Sequence, residues 1–330
     1  MRRLQLLGTG GTISCLPGPG GLKPAYEAKE LLPFVQTSIE NIQSRDLFAL
    51  DSSNVQPEEW CSMAQAIHHA VEEGMQGIVL THGTDTMAYT ASMLSFMLLG
   101  IPVPVVVTGS QYPIAYPDSD GRKNLTNAIT AARVLPGGVY ICFGDGVMLG
   151  CRGVKVRTTS LNAFESINYP YIGTVARGNY VPLTTPPQRA PFHFNDRIVP
   201  NVALIKLVPG TTPALFEALP GCGYQGVVVE AFGLGGVHSI RRDHTEAIAR
   251  LLKSGIPVVL CSQCLYEYSS PSVYEVSHAL VEAGVISAQD MTTEAAVTKL
   301  MWVLGQTGRM EEVRRIMGEN LCGEIGGPGA

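Results

Sequence analysis

The feature that most constrains the fold is an alternation of short apolar runs with stretches of helical spacing. The apolar runs, each bordered by glycine or proline, cover residues 4–7, 77–81, 103–108 and 139–143. Strands that are apolar on both faces are typical of a buried parallel sheet. Between them, apolar residues recur every three or four positions from Trp60 to Val71, and a second helical stretch runs from Asp85 to Leu99. This order predicts a layered α/β domain.

The length of the chain predicts two such domains. It has 330 residues, roughly twice the typical domain length of about 150. A proline-rich stretch at 180–200 has no period of either kind and separates a second α/β set. In that set we expect strands at 202–208, 226–229 and 258–261 and helices at 246–252, 273–282 and 293–304. We therefore predict a larger N-terminal domain with a parallel-type sheet (1–185), a linker (186–201) and a smaller, Rossmann-like C-terminal domain (202–330).

Charge and apolar patterning restrict the class of partner. Lys and Arg number 23 against 28 Asp and Glu, for a net charge of −5, and no basic tract occurs. This balance argues against nucleic acid or an anionic membrane surface as partner and favours a small molecule. The longest apolar region, 93–107, is interrupted by Gly100, Pro102 and Pro104 and is shorter than the ~20 residues that span a bilayer. The N-terminal apolar run is too short for a signal peptide, so we expect a soluble, cytoplasmic protein.

The first candidate loop is TGGTI at 9–13, which follows the first strand. Glycines there let backbone N–H groups approach a ligand closely. The GxGxxG order of a dinucleotide turn and the Walker lysine are both absent from the sequence. By itself the loop is equally compatible with a structural turn and with a binding site.

The second candidate loop is THGTDTM at 81–87, at the junction of a strand and a helix. A helix N-terminus offers free N–H groups to an anion. Thr84 and Asp85 are also common helix-capping residues, and capping is the simpler interpretation for this loop alone. The functional interpretation requires both loops to belong to one site.

Four motifs carry a family resemblance. TGGTI at 9–13, THGTDTM at 81–87, TGSQYP at 108–113 and SDGRKNL at 119–125 resemble, in order and spacing, the bacterial-type L-asparaginase family. The similarity continues through 149–170 and into the second domain. The DSSN element at 51–54 and the lack of a signal peptide resemble the cytoplasmic type I enzymes.

The resemblance implies hydrolysis of a side-chain amide without a metal or organic cofactor. Thr12 matches the nucleophile that forms an acyl-enzyme, while Thr84, Asp85 and Lys155 match a second catalytic set. In that set Lys155 deprotonates Thr84 or polarises a water, and Asp85 orients the lysine and the substrate amino group. Without the resemblance, Lys155 would be interpreted as an ordinary exposed strand lysine.

Substrate-binding positions follow from the same resemblance. Asp51, Ser52 and Ser53 match the element that holds the substrate α-carboxylate through hydroxyl and N–H groups, and Gly83 matches a backbone contact near the amide. The alternative for the two serines is capping of the helix that starts near Pro57.

Two positions depart from the family pattern. The family usually has a tyrosine on the mobile loop after TGGTI, where this chain has Leu22, with Tyr26 four residues later. Either Tyr26 acts through a shifted loop or Thr12 is activated differently. Gly236 stands where exported members have an asparagine that reaches a neighbouring subunit.

The implied reaction is conversion of L-asparagine to L-aspartate and ammonia by a homodimer or a dimer of dimers, with a separate regulatory asparagine site in some type I members. A related amidase subunit that serves Glu-tRNA amidation would bring an extra N-terminal domain, for which TGGTI at residue 9 leaves no room. The sequence also leaves open a glutaminase, an asparagine-binding regulatory protein without catalysis, and a nicotinamide-dependent enzyme.

Overall fold

The computed structural model describes residues 1–188, 190–273 and 275–326, and these divide into two compact units, Met1–Asp196 and Arg197–Ala330. Three of the predicted elements include positions outside the described residues. These positions are 189 in the linker, 274 in the helix at 273–282 and the last four residues of the C-terminal domain. The linker role of 186–201 and the boundaries at 185 and 202 stay predictions.

The first unit contains most of the strands. Its strands are β1 Leu4–Gly10, β2 Cys15–Gly18, β3 Gly21–Pro24, β4 Ile42–Leu50, β5 Gly77–Thr81, β6 Leu98–Leu99, β7 Pro104–Thr108, β8 Gly138–Phe143, β9 Gly146–Leu149, β10 Gly153–Lys155, β11 Phe164–Ser166, β12 Gly173–Ala176, β13 Asn179–Pro182 and β14 His193–Phe194. Its helices are α1 Ala28–Leu31, α2 Pro57–Glu72, α3 Met87–Met97 and α4 Gly121–Ala132.

One eight-stranded sheet organises this unit, in the order β13-β12-β9-β8-β7-β5-β1-β4. The five adjacent strands β4, β1, β5, β7 and β8 run parallel to one another. β9, β12 and β13 extend the sheet beyond β8, and each of them is antiparallel to the strand before it in this row. Every residue of β1, β5 and β7 is buried, as the continuous apolar runs predict for a sheet covered on both faces. The four neighbouring strands β4, β1, β5 and β7 all end at the same edge, which places the loops after them side by side.

The helices bury the faces that their spacing predicts. In α2 the buried residues are Trp60, Met63, Ala64, Ile67 and Ala70, which repeat every three or four positions. In α3 every residue except Tyr89 is buried. This helix begins at Met87, two residues later than expected, because Thr84 and Asp85 lie in the preceding loop.

The second unit is smaller and has its own sheet and core. Its strands are β15 Val202–Lys206, β16 Gly226–Ala231, β17 Val258–Ser262 and β18 Ile286–Ser287, and its helices are α5 Ala214–Ala218, α6 Thr245–Lys253, α7 Glu275–Ala283, α8 Thr293–Gln306 and α9 Met310–Gly318. The four strands are parallel and adjacent in chain order. Apolar side chains of β15, β16, β17 and α6 form the core. The prediction of two α/β domains, the larger one N-terminal, is confirmed.

Membrane spans and metal clusters are both missing from the described part of the chain. No helix within 1–188, 190–273 and 275–326 has the length and apolarity needed to cross a membrane. Within the same ranges, no group of three or more His, Cys, Asp or Glu side chains is arranged to hold a metal ion.

Candidate active site

The candidate site lies in the first unit, where four parallel strands end beside one another. β4 leads into Asp51–Asn54, β1 into Gly11–Thr12, β5 into His82–Thr86 and β7 into Gly109–Gln111. Loops at the carboxyl ends of parallel strands are where α/β sheets bind ligands. The first two motif loops, and the DSSN element beside them, therefore share one edge.

Backbone contact holds three of these loops together. A Cβ built on Gly11 would lie 2.4 Å from the Gly83 nitrogen, and Gly11 has φ +77°. A Cβ on Gly83 would lie 2.6 Å from the Ser52 Oγ. Only glycine combines this backbone conformation with so close an approach. The glycines of the two motifs thus let the Thr12 loop, the Thr84 loop and the Ser52 turn touch.

Lys155 joins Thr84 and Asp85 across a long stretch of sequence. Its Nζ donates to Thr84 Oγ1 at 2.7 Å and to Asp85 Oδ1 at 2.6 Å, although the residues are 71 and 70 positions apart. The Lys155 side chain is 14% exposed and that of Asp85 is 62% exposed. Lys155 is therefore not the exposed strand lysine that its local sequence suggests. The three residues form one hydrogen-bonded set, with the carboxylate open to solvent.

Neither Thr84 nor Asp85 caps the helix that follows. The residue before α3 is Thr86, which makes no side-chain capping bond, and the Thr86 hydroxyl instead donates to the Ser52 carbonyl at 2.8 Å. The Thr84 hydroxyl and the Asp85 carboxylate both contact Lys155. The capping interpretation of this loop is thus wrong.

Gln111 completes the surroundings of Thr84, and the sequence interpretation did not single it out. The Thr84 hydroxyl donates to Gln111 Oε1 at 3.3 Å. The Gln111 amide nitrogen donates to the carbonyls of Thr158 and Ser160 at 2.9 and 3.2 Å, which fixes the orientation of the amide. The signal that could have found it is its position directly after TGS in the TGSQYP motif.

A buried carboxylate anchors the Gln111 turn. Asp120 accepts the N–H groups of Gln111 and Tyr112 at 2.9 and 3.1 Å and the Asn124 amide at 3.1 Å. Burial raises the pKa of Asp120, although these hydrogen bonds oppose the shift. The SDGRKNL motif therefore supports the TGSQYP loop.

The DSSN element forms a short 3₁₀ turn that supports the Thr84 loop. Asp51 Oδ1 accepts the N–H and the hydroxyl of Ser53 at 2.9 and 2.6 Å, and these bonds lower the pKa of Asp51. Ser52 Oγ is buried and accepts the Asp85 N–H at 3.2 Å. Since the residue that caps α2 is Gln56, the alternative that these serines cap that helix is wrong.

Thr12 and the hairpin after it form the remaining part. Thr12 is half-buried and begins a 3₁₀ turn directly after Gly11. Leu22 lies in β3 and is 50% exposed. Tyr26 packs its ring edge-on against Phe34 at a centroid distance of 5.9 Å.

Gly236, the other position that departs from the family pattern, lies in the second unit, where it pairs with Phe232 in an isolated bridge.

Comparison with known proteins places this geometry in a family. The family model described as Asparaginase, N-terminal, matches residues 3–189, and that of the Glutaminase/Asparaginase C-terminal domain matches 201–317. The chain belongs to the asparaginase family. It is accordingly an amidohydrolase of two α/β domains.

Individual asparaginase-family relatives are similar along nearly the whole chain. An L-asparaginase from Thermococcus kodakarensis is 43% identical over 98% of this chain and 99% of its own. A solved structure of the thermostable L-asparaginase from that organism superimposes with a TM-score of 0.93 at 42% identity, covering 98% of this chain and 99% of its own.

Two further relatives differ in name. A structure named Probable Cytoplasmic L-asparaginase, from Campylobacter jejuni, has a TM-score of 0.84 at 26% identity and covers 96% of this chain and 99% of its own. A glutamyl-tRNA(Gln) amidotransferase subunit from Metallosphaera sedula is 37% identical over 98% of this chain and 76% of its own length. The relatives of this chain thus include proteins named as L-asparaginases and proteins named as amidotransferase subunits.

Proposed function

We propose that this asparaginase-family chain hydrolyses L-asparagine to L-aspartate and ammonia with Thr12 as the nucleophile. The observation that carries the proposal is the packing of the Gly11–Thr12 loop against Gly83, beside the Lys155–Thr84–Asp85 set. A hydroxyl, an amine and a carboxylate on touching loops are the groups that acyl transfer from an amide requires.

The first half-reaction forms an ester. Thr12 Oγ1 bonds to the side-chain amide carbon of the substrate, and backbone N–H groups around Gly83 stabilise the oxyanion. The intermediate then collapses, the C–N bond breaks, and the leaving nitrogen takes a proton and departs as ammonia. The hydroxyl proton that leaves Thr12 as the ester forms is balanced by the one proton that the leaving nitrogen takes.

The second half-reaction consumes water. A water oxygen bonds to the ester carbon, and the bond to Thr12 Oγ1 breaks; one water proton returns to Thr12 Oγ1 and the other is released as the product becomes a carboxylate. Lys155 either deprotonates Thr84 or polarises the water, and the 2.7 Å between Nζ and Thr84 Oγ1 puts the two groups within reach of proton transfer. To act as the base, Lys155 has to accept the hydroxyl proton that Thr84 here directs to Gln111. Asp85 holds the lysine and leaves carboxylate surface for the substrate amino group.

The polar groups of the DSSN turn suit the other end of an amino acid. Ser52 Oγ accepts the Asp85 N–H, so its own proton remains for donation to a substrate α-carboxylate. Asp51 keeps the turn in place by accepting both polar hydrogens of Ser53. A zwitterionic substrate would thus be held at its amino group by Asp85 and at its carboxylate by the Ser52 hydroxyl. Ser53 adds a second donor only if one of its two hydrogens turns from Asp51 to the substrate.

We also propose a cytoplasmic homo-oligomer, a dimer or a dimer of dimers, with a role in asparagine catabolism and a regulatory asparagine site. The name of the Campylobacter jejuni relative supports the location. The amidotransferase relative supports a second candidate, deamidation of glutamine or of a larger glutamine-like amide.

Ammonia release from asparagine and glutamine separates these candidates. One extra methylene in a pocket changes kcat/KM by about 10- to 200-fold, and we expect asparagine to be preferred.

We expect Thr12→Ala to lower kcat at least about 1,000-fold because the nucleophile is lost, and Thr12→Ser to retain part of the rate. Lys155→Met should also lower kcat at least about 100-fold, whereas Lys123→Met, in an exposed ion pair with Asp145, serves as the matched control.

Each outcome of these assays has a distinct meaning. Full activity in Thr12→Ala would refute the nucleophile, and a preference for glutamine would favour the second candidate. Asparagine binding by calorimetry without ammonia release from the unmodified chain would refute catalysis and indicate a binding protein.

A further inference from the structure

A buried row of polar groups lies behind the Thr84 loop and takes no part in the mechanism above. The Trp60 indole Nε1 lies 2.9 Å from Thr90 Oγ1, which lies 3.0 Å from His82 Nε2. On the other side of the ring, His82 Nδ1 lies 2.7 Å from the Gly83 carbonyl oxygen. His82 and Thr90 are fully buried and Trp60 is 6% exposed.

Donor and acceptor chemistry fixes the protons in this row. A carbonyl oxygen can only accept, so the ring proton of His82 is on Nδ1, where it donates to Gly83. In the neutral ring Nε2 is then bare and accepts the Thr90 hydroxyl proton, while Thr90 Oγ1 accepts from the Trp60 indole, which can only donate. Every polar hydrogen in the row thus has one acceptor and a single consistent direction.

The environment keeps the imidazole neutral. Burial lowers the pKa of His82 from 6.5 to about 4, and the hydrogen bond to Gly83 opposes this shift only in part. A protonated ring would place a second hydrogen on Nε2, facing the hydroxyl hydrogen of Thr90. The neutral Nδ1–H form is therefore the form that fits the row.

The backbone around His82 has no freedom to adjust. Its N–H donates to the Thr108 carbonyl at 2.8 Å, and a Cβ built on Gly109 would lie 2.2 Å from the His82 carbonyl oxygen. Since the peptide between Gly83 and Thr84 is planar and trans, fixing the Gly83 carbonyl toward the ring directs the Thr84 N–H the opposite way. One side-chain hydrogen bond thus sets the orientation of a peptide group inside the candidate site.

We propose that His82, held as its Nδ1–H tautomer by Thr90 and Trp60, is a positioning residue that orients the Gly83–Thr84 peptide for amide hydrolysis. The kinetic part of this inference rests on the proposed function. The tautomer does not, and it can be measured without any substrate.

The geometry predicts a specific pattern of kinetic effects. His82→Leu removes the donor to Gly83, and Thr90→Val removes the hydroxyl that fixes its tautomer. For both we expect kcat to fall at least about 30-fold, with KM changed less than about threefold, because the peptide is misdirected in the transition state. Thr90→Ser keeps the hydroxyl and His82→Asn keeps an N–H donor near the Nδ1 position. Both should retain kcat within about fivefold of the unmodified enzyme.

A control separates positioning from general destabilisation. Met63 is fully buried in α2 and takes no part in the row. Met63→Ala should lower the unfolding temperature without lowering kcat, when kcat is measured well below that temperature. If Met63→Ala lowers kcat as much as Thr90→Val at equal loss of stability, the positioning role is refuted.

Nitrogen-15 NMR of the ring provides the second readout. We expect the Nδ1–H pattern for His82, without titration between about pH 5 and pH 9. An Nε2–H pattern, or a charged ring at neutral pH, would refute the assignment even if Thr90→Val does not fold. If the unmodified chain releases no ammonia while the Nδ1–H pattern is observed, the proposed function fails and the tautomer stands.

Discussion

At the scale of single residues, the candidate site depends on glycines as much as on reactive side chains. Gly11 and Gly83 let two loops touch at the backbone, which brings the Thr12 hydroxyl near the loop of Thr84 and Asp85. A side chain at either position would separate the loops, and the separation would be of the order of a bond length. Catalysis is sensitive to displacements of that size.

Gly11→Ala tests this contact. The added Cβ would lie 2.4 Å from the Gly83 nitrogen at a φ of +77°, so we expect kcat to fall at least about 100-fold. Gly20→Ala is the matched control, because a Cβ there meets nothing within 4 Å. Ammonia release is measured for the two variants, and equal rates would show that the loops need not touch.

The residue scale also shows where prediction from sequence succeeds and where it stops. The glycine loops can be located because strand-ending glycines stand out in an apolar sequence. Lys155 contacts Asp85 because the chain comes back to the Asp85 loop 70 residues later. The residue spacing around the lysine does not indicate this contact. Gln111 was missed for the same reason, because its partner Thr84 is 27 residues away. Family motifs identified Lys155, and only three-dimensional proximity identified Gln111.

At the scale of elements, the hairpin β2–β3 follows Thr12 directly and contains Leu22. The backbone N–H groups of Ala25 and Tyr26 both donate to the Ser14 carbonyl at 2.9 Å, which fixes the end of the hairpin to the 3₁₀ turn of Thr12. The Tyr26 ring packs on Phe34 rather than standing free. This packing holds the Tyr26 ring in place, and we predict that Thr12 is activated without the Tyr26 hydroxyl.

Tyr26→Phe distinguishes the two possibilities left open by the departure at Leu22. The substitution keeps the ring contact with Phe34 and removes the hydroxyl, so we expect kcat for asparagine to remain within about threefold of the unmodified enzyme. Thr12→Ser provides the scale for a changed nucleophile in the same assay. A loss of about 100-fold or more in Tyr26→Phe would instead assign the family's lid hydroxyl to this residue.

Another element-scale feature is a buried ion pair that ties the end of the second unit to α8. Lys299 and Glu324 have side chains that are 0% exposed, and Lys299 Nζ lies 2.7 Å from Glu324 Oε1. Glu324 also accepts the N–H groups of Leu321 and Cys322, while Lys299 donates to the carbonyls of Met317 and Glu319. Burial opposes ionisation of Glu324, but Lys299 and these N–H groups outweigh it and lower the pKa.

Glu324→Gln should lower the free energy of unfolding by about 3–5 kcal/mol, because it leaves the Lys299 charge buried without a partner. Glu246→Gln, in an exposed pair with Arg250, is the control and should cost less than about 1 kcal/mol. The folded-state pKa of Glu324 lies below its ordinary value of 4.5. Its contribution is therefore complete above that pH and is lost as the pH falls through the lower, folded-state pKa. Urea unfolding at neutral and acidic pH measures both effects, and equal losses in the two variants would contradict the assignment.

At the scale of the whole molecule, the sequence predicts the class of fold well because both units follow the apolar pattern closely. Seven of the nine described parallel strands coincide with the apolar runs to within three residues, whereas β4 and β18, which are also parallel, correspond to no predicted run. The antiparallel extension of the first sheet by β9, β12 and β13 was not predicted. β12 and β13 have mixed burial and lack a continuous apolar run, and β9 has only four residues. The pattern of burial thus determines which elements the sequence reveals.

The proposed homo-oligomer is the last prediction and concerns the second unit. Several large apolar side chains there are exposed within 240–273, namely Ile240 at 81%, Val273 at 57%, Tyr266 at 58% and Tyr268 at 51%. A contiguous exposed apolar patch marks an interaction surface, and we predict that these side chains contribute to one; a stable interface needs about 800 Å² from each partner. We expect light scattering to give the mass of a dimer or a tetramer. Tyr268→Asp should shift that equilibrium toward the monomer, because a charge would be buried unpaired.

Val134→Asp in the first unit, where Val134 is 52% exposed, is the matched control and should leave the measured mass unchanged. A monomeric mass for the unmodified chain at every concentration would refute the oligomer. An oligomer that is unchanged in Tyr268→Asp would place the interface away from Tyr268, and an equal shift in both variants would show that the effect is not specific to Tyr268. The same samples, assayed for ammonia release across the dissociation range, then show whether the site in the first unit needs a second copy of the chain.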